Sequence, residues 1–167
     1  MSNQTPKKVL QRYLEDVIAA EKSFESQLRT MATEGDYAPA KQVFATHASE
    51  TKSQHERLTA RLEQLGGTAS SVKTAMAHVF NFAPKTAQLG HTASEKTSQN
   101  IIMGFTVENS EVATYEALAT VAAVAGDTVT EKLAREIQEE ERKASHALWH
   151  LIAPSCQMAF REVASAA

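Results

Sequence analysis

The chain has 167 residues, 43 % of them hydrophobic and only 6 % aromatic, with few glycines (6) and prolines (4); this is enough for one domain with a sizeable core, and the mix favours helix. A formal net charge of −3 excludes an electrostatic grip on nucleic acid, since Lys7 and Lys8 are too few to act as a basic arm. The single cysteine, Cys156, excludes an internal disulfide framework, and no apolar run approaches the ~20 residues needed to cross a bilayer, so a cytoplasmic protein without a membrane partner is expected.

Taken in chain order, the first helix is expected from Pro6 to about Thr33, with Thr5 as N-cap and Leu10, Leu14, Val17, Glu21, Phe24, Leu28 and Met31 at helical spacing. Gly35 and Asp36 break it. The second is expected from about Ala38 to Leu65, with an inner stripe of Val43, Phe44, His47, Glu50, Thr51, Gln54, Leu58, Leu62 and Leu65, and Gly66 and Gly67 end it. A short extra helix is expected over roughly Val72 to Phe82, stopped by Pro84, and residues from about Ala83 to Thr92 read as a connection.

The third long helix is expected from about Ala93 to Ala125, its inner face marked by Ile101, Ile102, Phe105, Glu108, Val112, Tyr115, Leu118 and Ala122. Gly126 and Asp127 make a tight turn, with Thr128 as N-cap of a fourth helix. That helix carries Val129, Leu133, Ile137, Glu140, Ala144, Leu148 and Leu151 and stops before Pro154. One domain over 1–167 results, with a core of about 6–152 and a tail over 153–167. Two helical hairpins joined by a longer crossover make an all-α, ferritin-like four-helix bundle, with the short extra helix in the crossover.

Each long helix places a glutamate on or beside its apolar stripe: Glu21, Glu50, Glu111 (with Glu108 one turn earlier) and Glu140. Counting from the turns, Glu21 lies about 14 residues before Gly35 and Glu50 about 15 after it. Glu140 and Glu111 lie about 13 and 15 residues from the second turn. At 1.5 Å per residue each pair is level to within roughly 3 Å. Buried carboxylates at one height repel one another unless a cation joins them. The competing reading is a set of partly exposed charges, because the helices also carry Glu15, Glu25, Glu63, Glu131 and Glu136.

These residues resemble the ferritin-like YciE/YciF group of small bacterial stress-associated proteins. The likeness runs from about Val9 to Ile152. It rests on Tyr13-Leu14 to Ala20-Glu21-Lys22, on HASETKSQHERL from His47 to Leu58, on Lys73 to Met76, on ENSEVATY from Glu108 to Tyr115 and on EEERK from Glu139 to Lys143. The resemblance implies a dinuclear metal centre, with Glu21, Glu50, Glu108, Glu111 and Glu140 as ligand candidates. The chain departs from the general ferritin-like pattern in its nitrogen donors. Gln54 and Asn109 stand where histidines are common, and His47 lies three residues before Glu50 rather than after it.

An oxygen-rich donor set with His47 as a nitrogen ligand suits two iron ions, or manganese, better than structural zinc. On this reading the protein oxidises Fe(II) or handles peroxide under stress. Tyr115 hydrogen-bonds a ligand or donates an electron, the simpler role being a core tyrosine with a satisfied hydroxyl. The alternative is a non-catalytic helical bundle acting as a stress or interaction protein with a weakly filled site. A homodimer is expected on either reading, covering flanks such as Ile102, Phe80 and Phe82. His146 and His150, four residues apart, read as a surface ion site or as two exposed histidines.

Overall fold

A computed structural model describes residues 5–68 and 88–166. The expected extra helix over Val72 to Phe82 lies outside the described residues. Four helices make up the described chain: α1 (Pro6–Thr33), α2 (Ala38–Gln64), α3 (Ala93–Val124) and α4 (Thr128–Ala166). α1 packs along α2 and α3 along α4, with the two hairpins joined face to face through α2–α4 and α1–α3 contacts.

The helix ends follow from local chemistry. The Thr5 hydroxyl accepts from the Lys8 amide, and Pro6 needs no partner for a missing N–H. At α3, Thr92 and Glu95 form a reciprocal capping box: the Glu95 amide donates to the Thr92 hydroxyl at 3.3 Å and the Thr92 amide to the Glu95 carboxylate at 2.7 Å. Gly126, at φ +73°, lets the Asp127 amide reach back to the Ala122 carbonyl at 2.9 Å. The Asp127 carboxylate then accepts from the Thr130 amide at 3.0 Å, so Asp127 and not Thr128 caps α4, freeing Thr128 to enter its first turn.

Pro154 does not end α4. The helix runs on to Ala166, in place of the expected tail, and Ser155 and Ala159 are buried. Proline removes one hydrogen bond to the carbonyl four residues back. Here that loss falls on an exposed side of the helix while the opposite side stays packed.

The turn between α1 and α2 rests on the N-terminal part of α3: Asn100 donates to Glu34 at 3.1 Å, and Ser94, in the first turn of α3, donates to Glu162 near the end of α4. At the opposite end Gln11 donates to the Leu65 carbonyl at 2.7 Å, and Arg61 pairs with Asp127 at 2.6 Å. α2 and α3 therefore both run away from the Gly35 turn.

The apolar core is split. The largest cluster, near the Arg61–Asp127 end, gathers Leu10, Leu14, Leu58, Leu62, Leu118 and Ile137; a second, toward the Gly35 turn, gathers Leu28, Phe44, Ile101 and Leu148; a small third joins Ala20, Phe24 and Val107. Each such side chain contributes roughly 1.5–3 kcal/mol on burial. Between the two larger clusters lies a layer of polar side chains.

Gly35 fits the Gly35 turn for two reasons: its φ is +69°, and a Cβ there would stand 2.0 Å from the Thr97 hydroxyl. Gly35→Ala is expected to cost roughly 1–3 kcal/mol in urea unfolding. Combining it with Thr97→Ala should recover part of that cost, the part due to the collision. A double variant no more stable than Gly35→Ala would show that the backbone angle alone sets the cost.

Candidate metal centre

Buried positions on every helix advance by alternating steps of four and three residues. On α1 this seam runs through Leu10, Leu14, Val17, Glu21, Phe24 and Leu28, with Ile18, Ala19 and Ala20 buried beside it; on α4 it runs through Thr130, Ala134, Ile137, Glu141, Ala144 and Leu148, with Gln138 and Ser145 beside it. This is the seam spacing of packed helices. The polar layer arises where the seam positions of all four helices carry polar groups at one height: Glu21 from α1, His47, Thr51 and Gln54 from α2, Glu108 and Glu111 from α3, and Glu141 from α4.

One ligand atom each of His47, Glu108, Glu111 and Glu141 lies within 4.8 Å of the other three. His47 Nε2 is 2.7 Å from Glu108 Oε2 and 3.3 Å from Glu141 Oε2. The other ring nitrogen, Nδ1, is 3.2 Å from Glu50 Oε2. Gln54 Nε2 donates to Glu141 Oε1 at 2.5 Å and to Glu140 Oε2 at 3.0 Å, and Arg57 pairs with Glu140 at 2.5 Å. The Tyr115 hydroxyl donates to Glu21 Oε1.

The structure therefore sorts the glutamates expected from sequence. It brings Glu21, Glu108 and Glu111 into the layer together with His47 and Gln54. Two others differ from the inward placement expected of them. The Glu50 side chain is 50 % exposed and meets the layer only through His47, because Glu50 stands about 100° around the helix from the buried Thr51. Glu140 is about one-third exposed and held by Arg57, and its neighbour Glu141, fully buried, takes the inner place on α4. Glu141 is the member of the buried cluster that the sequence pattern does not single out. Its signal was present in the 4-3 spacing from Thr130 and Ala134, whereas the bulkier Val129 and Leu133 drew the stripe one residue off; Val129 is in fact 57 % exposed.

Burial and mutual repulsion disturb these groups strongly. Burial, reinforced by the charges of Glu141 and Glu108, holds the Glu21 carboxyl well above its ordinary range against the Tyr115 hydrogen bond. Burial and the charges of Glu21, Glu141 and Glu108 do the same to Glu111. Burial pushes Glu108 up to about 8, although His47 opposes it. Burial alone would lower His47, but the hydrogen bonds and charge of Glu108, with Glu141 and Glu50, hold it protonated far above its usual range. Tyr115 is raised by burial and by the neighbouring Glu21.

The donor set suits a cation. Glu21 Oε2 and Glu108 Oε1 are buried without a hydrogen-bond partner, and Glu141 Oε2 has only the His47 ring, 3.3 Å away. Unpaired buried oxygens of this kind are rare in folded proteins and costly. Three carboxylates and one imidazole, converging with free lone pairs, fit a divalent ion of oxygen preference. Glu50 fits the outer role of a carboxylate on a ligating histidine: an Nδ1–H donated to Glu50 leaves the Nε2 lone pair facing inward once its proton is displaced.

Topology and site together define a ferritin-like four-helix bundle with a buried histidine–glutamate cluster able to hold a metal ion. The model of the family described as a domain of unknown function (DUF892) matches residues 5–160, and the chain belongs to that family. It is similar to the E. coli stress protein YciF, at 25 % identity over 92 % of this chain and 98 % of that one, with a TM-score of 0.81. YcfI from Rhodopseudomonas palustris is 24 % identical, over 89 % and 96 % of the two chains, with a TM-score of 0.79. Dps from Staphylococcus aureus, at 15 % identity, shares the fold with a TM-score of 0.72 over 86 % and 94 %. The YciE/YciF resemblance read from the residues agrees with these findings. No described helix is long and apolar enough to cross a membrane.

The disturbed groups give the metal-free protein a characteristic pH dependence. Glu21, Glu108 and Glu111 keep protons in the fold at pH values where the unfolded chain, with carboxyls near 4.5, has lost them. His47 keeps its proton above the ordinary 6.5. In both cases the native state binds more protons than the unfolded one, so stability falls as pH rises. Metal-free protein is expected to lose melting temperature steadily between about pH 5 and pH 8. Glu111→Gln, which cannot ionise, should flatten that slope. A melting temperature that is level or rising over this interval, followed by circular dichroism, would contradict the assignment.

Proposed function

We propose that the buried cluster is a carboxylate-rich metal centre that binds two iron ions, or manganese, with His47, Glu108, Glu111 and Glu141 as ligands and Glu21 beside them. The observation that carries this is the set of orphaned carboxylate oxygens around four converging ligand atoms. Glutamates can bridge two ions about 3.5–4 Å apart. Filled with iron, such a centre supplies electrons to dioxygen or peroxide, and similarity to a stress protein supports a role of that kind. The chain's own groups shape it. Glu50 orients His47, Gln54 fixes Glu141, Arg57 neutralises Glu140 at the rim, and Tyr115 holds Glu21 and lies close enough to pass it a proton. Assembly as a homodimer in the cytoplasm belongs to the same proposal; Ile102, 45 % exposed, is an apolar flank that a second copy would cover.

The test uses full-length metal-free protein titrated anaerobically with Fe(II). Wild type should take up two ions per chain. Glu141→Ala should weaken uptake by more than the roughly 10–100-fold that loss of an orienting group costs. Glu140→Ala should leave it within a few-fold. Equal losses in the two variants would refute the ligand assignment.

One observation favours the alternative of a non-catalytic bundle. The Gln54 amide donates to both Glu140 and Glu141, taking up by hydrogen bonding part of the charge a cation would otherwise neutralise. The two readings part on melting behaviour. A metal that binds only the folded state must raise the melting temperature, whereas a bundle that holds no ion melts at one temperature with and without iron or manganese.

A further inference from the structure

His146 and His150 stand apart from the buried cluster, one turn apart on the exposed side of α4. Their Nε2 atoms are 3.0 Å from each other, with ring centroids 4.4 Å apart and ring planes at 79°. Residues four apart on a helix face one way, and a pair of histidines at that spacing is a recurrent metal chelate. Without metal, one ring nitrogen donates to the other. That contact aims the Nε2 atoms of both rings at one place.

The separation of the donors, that of an ordinary hydrogen bond, is short enough for one ion to reach both. With metal–nitrogen bonds of about 2.1 Å, a 3.0 Å gap between donors corresponds to an angle at the metal of about 91°. A tetrahedral ion would need the nitrogens about 3.4 Å apart. An angle near 90° is that of adjacent positions in a square-planar or octahedral shell, the habit of copper(II) and nickel(II) bound by nitrogen. Copper(II) stands highest in the affinity order of the first-row divalent ions.

We propose that His146 and His150 form a second, surface metal site, separate from the carboxylate centre, that chelates copper(II) in preference to nickel(II) and zinc(II). Binding moves the proton shared between the two Nε2 atoms to Nδ1 and leaves both Nε2 lone pairs on the ion; water fills the remaining positions. The two sites then differ in donor chemistry. The inner one is rich in oxygen and suits iron or manganese, and the outer one is built of imidazole.

Trp149, 57 % exposed and adjacent to His150 in sequence, is the chain's single tryptophan and gives a direct readout. Copper(II) bound at the pair should quench its fluorescence. Metal-free full-length protein is titrated with copper(II) chloride, and the frozen samples are examined by electron paramagnetic resonance for splitting from two nitrogen ligands. His146→Ala and His150→Ala should each weaken binding at least roughly tenfold, the lower bound for losing even an orienting partner of a metal ligand. His91→Ala, a histidine elsewhere on the surface, should change nothing. Glu141→Ala, which disables the inner cluster, should leave the quenching midpoint in place. Copper affinity that is unchanged by either histidine substitution, or that is lost in Glu141→Ala, would overturn the proposal. Circular dichroism of each variant confirms that the helices are retained.

Discussion

Charge repulsion among buried carboxylates is the constraint around which this bundle is built. Glu21, Glu108, Glu111 and Glu141 stand in one layer with almost no access to water. Each ion taken out of water costs several kcal/mol even after relaxation. The fold meets that cost by protonation, by the positive charge of His47 and by a few neutral donors, namely Tyr115 on Glu21 and Gln54 on Glu141. These do not reach every oxygen. The apolar clusters on either side supply the stability that lets the layer persist, and they also seal it. Without them the acids would simply hydrate, and with them the acids must share protons or a cation.

The seam geometry explains why so much of this was legible in the sequence and why part was not. Glu21, Glu108 and Glu111 lie among large apolar neighbours, so the periodic pattern alone carries them inward. Glu140 and Glu141 are adjacent, and the decision between them turns on which stripe of α4 faces the bundle. Large residues such as Val129 and Leu133 point to one stripe, but the fully buried positions at that end of α3 and α4 include small ones, Ala119, Ala122, Thr130 and Ala134. Hydrophobicity ranks side chains by transfer energy and says little about how near two backbones come. Glu50 failed for a different reason: it does touch the site, but through the imidazole of His47 and from the solvent side. A polar side chain that touches a buried site from outside has the sequence signature of any surface glutamate. The helix ends show the same split. Glycine turns and the Thr5 cap follow from local chemistry, whereas the passage of α4 through Pro154 depends on packing of Ser155 and Ala159 that no local rule contains.

Around the cluster, hydrogen bonding runs in a graded order from the surface inward. Arg57 and Glu140, each about one-third exposed, form an ion pair at the rim. Gln54 bridges that pair to Glu141, and Glu50 bridges solvent to His47. A neutral amide between an outer and an inner carboxylate fixes the inner one without adding charge to the layer. A histidine at that place would add a second imidazole, which competes for the same protons. Gln54 thus makes the centre more acidic in its donors and more dependent on an added cation for neutrality.

The scarcity of nitrogen in the layer has a consequence for which ions the protein separates. His47 is the single imidazole among the converging ligand atoms, and Asn109 turns away from the cluster to the Phe105 carbonyl and Ser145. A donor set dominated by carboxylate oxygen lowers the advantage that copper and nickel hold at imidazole sites, because that advantage grows with nitrogen and sulfur ligation. It also favours ions that tolerate bridging carboxylates and variable coordination. An imidazole pair on the outside of α4 reverses those preferences within the same chain. Ions of high intrinsic affinity are then retained at the surface, where exchange with water is fast. The buried layer, with the part-exposed Glu50, Arg57 and Glu140 at its rim, would be left to the ions its oxygens suit. Selectivity on this view comes from placing two donor chemistries at two depths of one bundle, and it requires no tight binding at either.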